Sequence, residues 1–130
     1  MSKTLILTAA LALTVGGAAF ADDIGKADYE QYCATCHGMG AKGDGDLTQL
    51  MTVKVPDLTQ IAAGNDGVFP MLDVIHVIDG RTGVRAHGGP MPVYGRVFSG
   101  EAADHGTFTA ALAARGRVLS IAYYLESLQE

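Results

Sequence analysis

The sequence predicts an all-α domain built around one attachment motif. Apolar residues recur at every third or fourth position in three segments, one leading into residue 36, one over 68–80 and one over 106–130. No alternating strand pattern or internal repeat competes with them. The third observation is CATCHG at residues 33–38, which indicates what the helices are arranged around.

The chain opens MSKTLILTAALALTVGGAAFADD: a basic Lys3, an apolar run from Leu5 to Val15, then small residues ending Ala19-Phe20-Ala21. That order is a secretory signal peptide, with cleavage expected after Ala21. An uncleaved anchor is the alternative, although the apolar run is about half the ~20 residues that a bilayer requires. Residues 1–21 are therefore read as leader and 22–130 as the domain, 109 of 130 residues. A chain of that size buries only a modest core. Losing Lys3 leaves eight basic residues against 14 acidic ones, a formal charge of −6. Nucleic acid and anionic membranes require clustered Lys and Arg, so neither is expected as a partner.

In the order of the chain, Asp22 or Asp23 is placed to cap a helix through KADYEQYCATC, with Ile24, Tyr29, Tyr32 and Cys33 on one face. Residues 38–45 end it, with Gly43, Asp44 and Gly45 as turn residues. Pro56 in VPDLT takes an extended or turn conformation with its carbonyl free, or with Asp57 it starts a helical turn. VFPMLDVIHVIDG reads as a second helix whose stripe is Val68, Met71, Leu72, Ile75 and Ile78, stopped by Gly80. His76 beside that stripe is read as a packed or rim residue. From Gly106 the chain is helical to its end, with a break near Gly116. Its buried face is Val118, Ile121, Ala122, Leu125 and Leu128, with Tyr123 and Tyr124 beside it.

Cys33 and Cys36 in an exported chain suggest a disulfide, but their spacing suggests something else. Two thiols one helical turn apart reach the two vinyl groups of one haem, and the next residue, His37, then lies under the iron. C-x-x-C-H is the signature of covalent haem c attachment with an imidazole as proximal ligand. A thioredoxin-like pair would need a βαβ context, and zinc would need further ligands that a chain with two cysteines does not supply at the right spacing.

With these residues the chain resembles the class I monohaem cytochromes c of the bacterial periplasm, from about Gly25 to Leu128. CATCHG carries the resemblance most specifically. VPDLT (55–59), GVFP (67–70), IDGR (78–81) and AHGGPMPVYG (86–95) add to it. The resemblance implies helices wrapped around one covalent haem, with the first and last helices crossing, here Gly25 and Tyr29 against Tyr123, Tyr124 or Leu125. It also implies that the Pro56 carbonyl accepts the Nδ1 proton of His37, which would fix the tautomer.

A low-spin electron-transfer haem requires a second axial ligand, and Met39, Met51, Met71, Met91, His76, His87 and His105 are the candidates. Met39 is tethered near His37, Met71 belongs to the helix stripe, and Met51 sits close to the proximal half. Met91 lies between Pro90 and Pro92, which stiffen its loop, while Gly88 and Gly89 allow close backbone approach. It also stands where the family carries its methionine, and His87 is the runner-up. Arg81 and Arg85 are candidate partners for the haem carboxylates, with surface solvation the alternative for both.

The function expected is a one-electron carrier, not an enzyme. It would be monomeric and periplasmic, meeting redox proteins transiently. A haem enzyme or gas sensor with a displaceable distal ligand, and the electron-entry subunit of a larger oxidoreductase, are the competing readings.

Overall fold

The computed structural model describes residues 18–81 and 91–130, and among them forms helices and turns with no strand. Five α-helices follow one another: α1 Ala18–Tyr32, α2 Ala34–His37, α3 Met71–Asp79, α4 Tyr94–Glu101 and α5 Thr107–Ser127. Short 3₁₀ turns occupy the long connection between α2 and α3, over Asp46–Leu50, Leu58–Gln60 and Ala63–Asn65. No helix among the described residues is long and apolar enough to cross a membrane. Residues 1–17 of the predicted leader lie outside the described residues.

The α1–α5 crossing organises the fold, as expected. A Cβ at Gly25 would lie 2.1 Å from the Ser120 carbonyl oxygen and 3.1 Å from Tyr124 Cβ, so only glycine permits this approach. One turn on, the rings of Tyr29 and Tyr124 meet with centroids 5.4 Å apart. The buried face of α1 is Gly25, Asp28, Tyr29 and, just beyond its end, Cys33, at i, i+3, i+4 and i+8. Ile24 falls one position off that stripe and is 52% exposed, contrary to expectation. Asp22 and Asp23 lie inside α1, which begins at Ala18, and so do not cap it.

Along α5 the expected Val118, Ile121, Ala122 and Leu125 are buried, joined by Ala110 and Ala114, while Leu128 packs half-buried against the core. The expected break at Gly116 does not occur. Nothing lies within 4 Å of where its Cβ would be, and α5 runs through it unbroken. One glycine costs a helix only about 1 kcal/mol, and packing on either side exceeds that.

α3 begins at Met71, not Val68, because Pro70 disfavours helical backbone at Phe69. The later start changes the predicted stripe. Val74 and Ile78 are buried, with Met71 and Ile75 packed against the core, whereas Val68 and Leu72 are exposed. Gly80 ends the helix in the left-handed region at φ 81°. Its bare Cα faces the Val93 side chain, which brings the end of α3 to the start of α4.

α4 was not predicted. Its Phe98 is fully buried and its Tyr94 buried, one turn apart against α5. Three charged residues tie α1, α4 and α5 together. Arg117 Nε and Nη2 donate to Asp28 Oδ2 and Oδ1 at 2.9 and 2.7 Å, and Nη1 donates to Glu101 Oε2 at 2.6 Å. The guanidinium lies over the Phe98 ring, 3.8 Å from its centroid.

Candidate cofactor site

The site begins where α1 ends. Cys33 N–H donates to Tyr29 O at 2.8 Å and His37 N–H to Cys33 O at 2.9 Å, so the motif forms a single helical turn. The backbone then reverses at Gly38, whose φ is 79°. The Tyr29 hydroxyl, buried, donates to the Gly38 carbonyl at 2.7 Å and fixes that reversal. Carbonyls left at the end of the motif are taken up by the glycine-rich loop: Gly43 N–H donates to His37 O at 2.8 Å and Gly45 N–H to Cys36 O at 3.1 Å.

The same loop brings the VPDLT stretch to the motif. Leu58 N–H donates to Ala41 O at 2.7 Å. A Cβ on Gly43 would lie 2.5 Å from the Val55 oxygen and 2.9 Å from that of Pro56, so this glycine lets the two backbones touch. Asp57 meanwhile caps the next 3₁₀ turn, its carboxylate accepting from Thr59 N–H at 2.9 Å and Thr59 Oγ1 at 2.6 Å. The reading in which Asp57 starts a turn therefore holds, while no hydrogen bond joins the Pro56 carbonyl to His37 Nδ1.

These residues wall a cavity of about 460 Å³. Cys33, Cys36 and His37 line it from α2, Val53 to Pro56 from the connection, Val74 and Ile78 from α3, Met91 and Tyr94 from the approach to α4, and Ile121 and Leu125 from α5. The lining is mainly aliphatic and aromatic, which suits a large apolar plate better than a polar substrate.

Three features test whether the residues fit a covalent haem. Cys33 and Cys36 are free of any disulfide. Burial, then the nearby charges of Asp28 and Cys36, pushes the Cys33 thiol up to about 12, so it is neutral at pH 7 and lacks the thiolate that a redox-active pair uses. The third is the imidazole of His37. Burial lowers its pKa, and the Pro56 carbonyl opposes that shift. Its buried Nδ1 has no hydrogen-bond partner among the described residues. A proton on Nδ1 facing a carbonyl leaves Nε2 to meet a metal. Among the described residues no three His, Cys, Asp or Glu side chains gather to hold a metal ion by themselves, so nothing completes a zinc site. The donor set of two thiols, one imidazole and a thioether lining one apolar cavity fits a haem.

Of the other distal candidates, Met51 also lines the cavity, whereas Met39 is 63% exposed and Met71 packs against the core. His76, on α3, is not among the lining residues, and His105 is exposed. His87 and Arg85 lie outside the described residues. Arg81 is exposed, pairs with Asp79, and does not line the cavity. Sequence reasoning missed Lys54 and Asp73, the two charged carboxylate or ammonium side chains on the cavity wall. No motif marks either one.

The sequence profile of the Cytochrome c family matches residues 23–105, from α1 to the turn that follows α4. No curated protein and no solved structure matches the chain.

Proposed function

The chain belongs to the cytochrome c family, and from that premise we propose that it is an exported one-electron carrier with one haem c bound through His37 and Met91. Family membership carries the covalent haem and haem-based electron transfer. The reading of the site rests on one observation, that Cys33, Cys36, His37 and Met91 all line a single apolar cavity.

In this reading the Cys33 and Cys36 sulfurs form the two thioethers, His37 Nε2 is the proximal ligand and the Met91 sulfur the distal one. When bound, the haem supplies a reversible one-electron iron couple. The protein's part is to hold it. The Pro56 carbonyl, on the same cavity wall as His37, is the acceptor that would hold the imidazole proton on Nδ1 once the haem is in place, and Tyr32 and Tyr94 line the cavity with Cys33. Tyr94 is itself fixed by donating its hydroxyl to the Tyr32 carbonyl at 2.6 Å. Apolar walls exclude water, and a thioether ligand favours the reduced iron relative to a second histidine. Residues 1–21 serve as a leader that delivers the chain to the periplasm. The acidic domain acts as a monomer on basic faces of redox partners, in brief encounters that weaken as salt rises.

The test is the visible spectrum of the matured protein, oxidised and reduced, beside Met91→Ala. A low-spin haem c spectrum whose far-red sulfur-to-iron band disappears in the variant is expected. Retention of that band would transfer the distal role to Met51, the other methionine on the cavity wall. A high-spin wild type would instead favour a ligand-binding or catalytic haem.

A further inference from the structure

A haem brings two carboxylates into a chain that already carries a net charge of −5. A carboxylate taken from water without a partner is costly, so a cation near the cavity is required unless both carboxylates stay in solvent. Most described cations are committed elsewhere. Arg117 serves Asp28 and Glu101, Arg81 serves Asp79, Lys42 meets Glu130 at 2.5 Å, and Lys26 meets Glu30 at 3.8 Å. None of these lines the cavity, and neither do Arg96 and Arg115.

Lys54 is the exception. It is the one Lys or Arg among the described residues that lines the cavity, and its ammonium enters no ion pair or hydrogen bond among them. It also lines a neighbouring, more open cleft of about 810 Å³ formed by residues 42–43, 48 and 51–57, and it is exposed, so it stands where the cavity wall meets solvent. There a lysine can lay its stem on apolar surface and keep its charge at the rim. The other charged wall residue is Asp73 of α3, which repels a carboxylate.

We infer that Lys54, and not Arg81, is the residue that pairs with a haem carboxylate. The inference rests on the haem reading above and deepens it. A cation at this rim offsets the field of the carboxylate at the iron, so removing it stabilises the ferric form.

The experiment compares matured holoprotein carrying Lys54→Gln, Lys54→Arg, Arg81→Gln or Arg85→Gln with wild type. The readouts are the visible spectrum, the midpoint potential and the propionate-bending band in resonance Raman. Lys54→Gln is expected to keep the low-spin spectrum, lower the potential and shift the propionate band. Lys54→Arg restores both, and Arg81→Gln, at a residue off the cavity wall, leaves both unchanged. A low-spin Lys54→Gln protein with neither change overturns the inference, as does a response confined to Arg81→Gln or Arg85→Gln. Wild type lacking covalent haem overturns the haem reading itself, and the two failures are thereby distinguished.

Discussion

Replacing Arg117 with Met should cost about 3 kcal/mol of folding stability, close to the lower end of the ~3–5 kcal/mol seen when one partner of a buried ion pair is removed. The figure follows from how the pair is placed. Asp28 keeps only 11% of its side chain exposed and Arg117 25%, so the loss exceeds the ~0–1 kcal/mol of a surface pair. Both carboxylate oxygens of Asp28 receive their hydrogen bonds from this one guanidinium, and both are left without them in the variant. Loss of the stacking on Phe98 adds roughly 0.5–1 kcal/mol, while the methionine stem retains part of the apolar contact. Glu101 adds little, since 43% of its side chain is exposed and returns to water.

Thermal unfolding of the ferric holoprotein at low salt, followed by circular dichroism, measures this for wild type, Arg117→Met, Asp28→Asn and the double variant. At about 4 °C per kcal/mol the Tm of Arg117→Met should fall by roughly 12 °C. The double variant should lose less than the sum of the singles by about 1.5 kcal/mol or more, because the second change removes the stranded partner. A loss below about 1 kcal/mol, or strict additivity, would refute the view of Arg117 as the joint between α1, α4 and α5.

Two further outcomes are expected. Gly25→Ala places a methyl 2.1 Å from the Ser120 carbonyl and should destabilise by about 1–3 kcal/mol in thermal unfolding. Gly116→Ala meets nothing within 4 Å and should stabilise by up to about 1 kcal/mol; the same sign for both would contradict the crossing. Glu101 accepts hydrogen bonds from Arg117 and Tyr32, which hold its carboxyl below the ordinary 4.5. A depressed folded value means that its contribution is present above 4.5 and is lost as the pH falls through the folded value. Wild type should therefore exceed Glu101→Gln in stability at neutral pH, with the gap closing in acid. A gap of constant size would show that ionised Glu101 is not its source.

What the sequence made legible is what depends on spacing along the chain. CATCH occupies one helical turn, so its three functional side chains must share a neighbourhood. The buried face of α5 follows from the same periodicity, whereas the meeting of Gly25 and Tyr29 with the last helix was implied by the family resemblance, which left Tyr123, Tyr124 and Leu125 open as partners. The phase of α3 was misread because an apolar stripe fits several registers, and only the restriction imposed by Pro70 selects one. α4 spans eight residues, two of them glycine, too few for periodicity to separate it from a loop. The Asp28–Arg117–Glu101 cluster joins positions up to 89 residues apart in sequence. Each of these charges reads alone as a solvated surface residue. Lys54 was overlooked for the same reason, since what distinguishes it is the wall on which it stands.

That wall differs in kind from the rest of the domain. Among the described residues, 52–56 make no backbone–backbone hydrogen bond to a turn, loop or cap, whereas Met51 and Leu58 to either side donate to Thr48 and Ala41 at 3.2 and 2.7 Å. Backbone groups left outside a ladder are satisfied by water, side chains or a bound group. The segment is positioned by its two ends and by the close approach of Gly43, and Val53 to Pro56 line the cavity where the proposed haem would lie. The α1–α4–α5 assembly, by contrast, has its own buried aromatics and ion pairs. Substitutions in that assembly should therefore act mainly on global stability, and substitutions in residues 52–57 on the potential and spectrum of the haem. Lys54 and Arg117 test the two halves of this division, because one variant should move the potential at little cost in stability and the other should do the reverse.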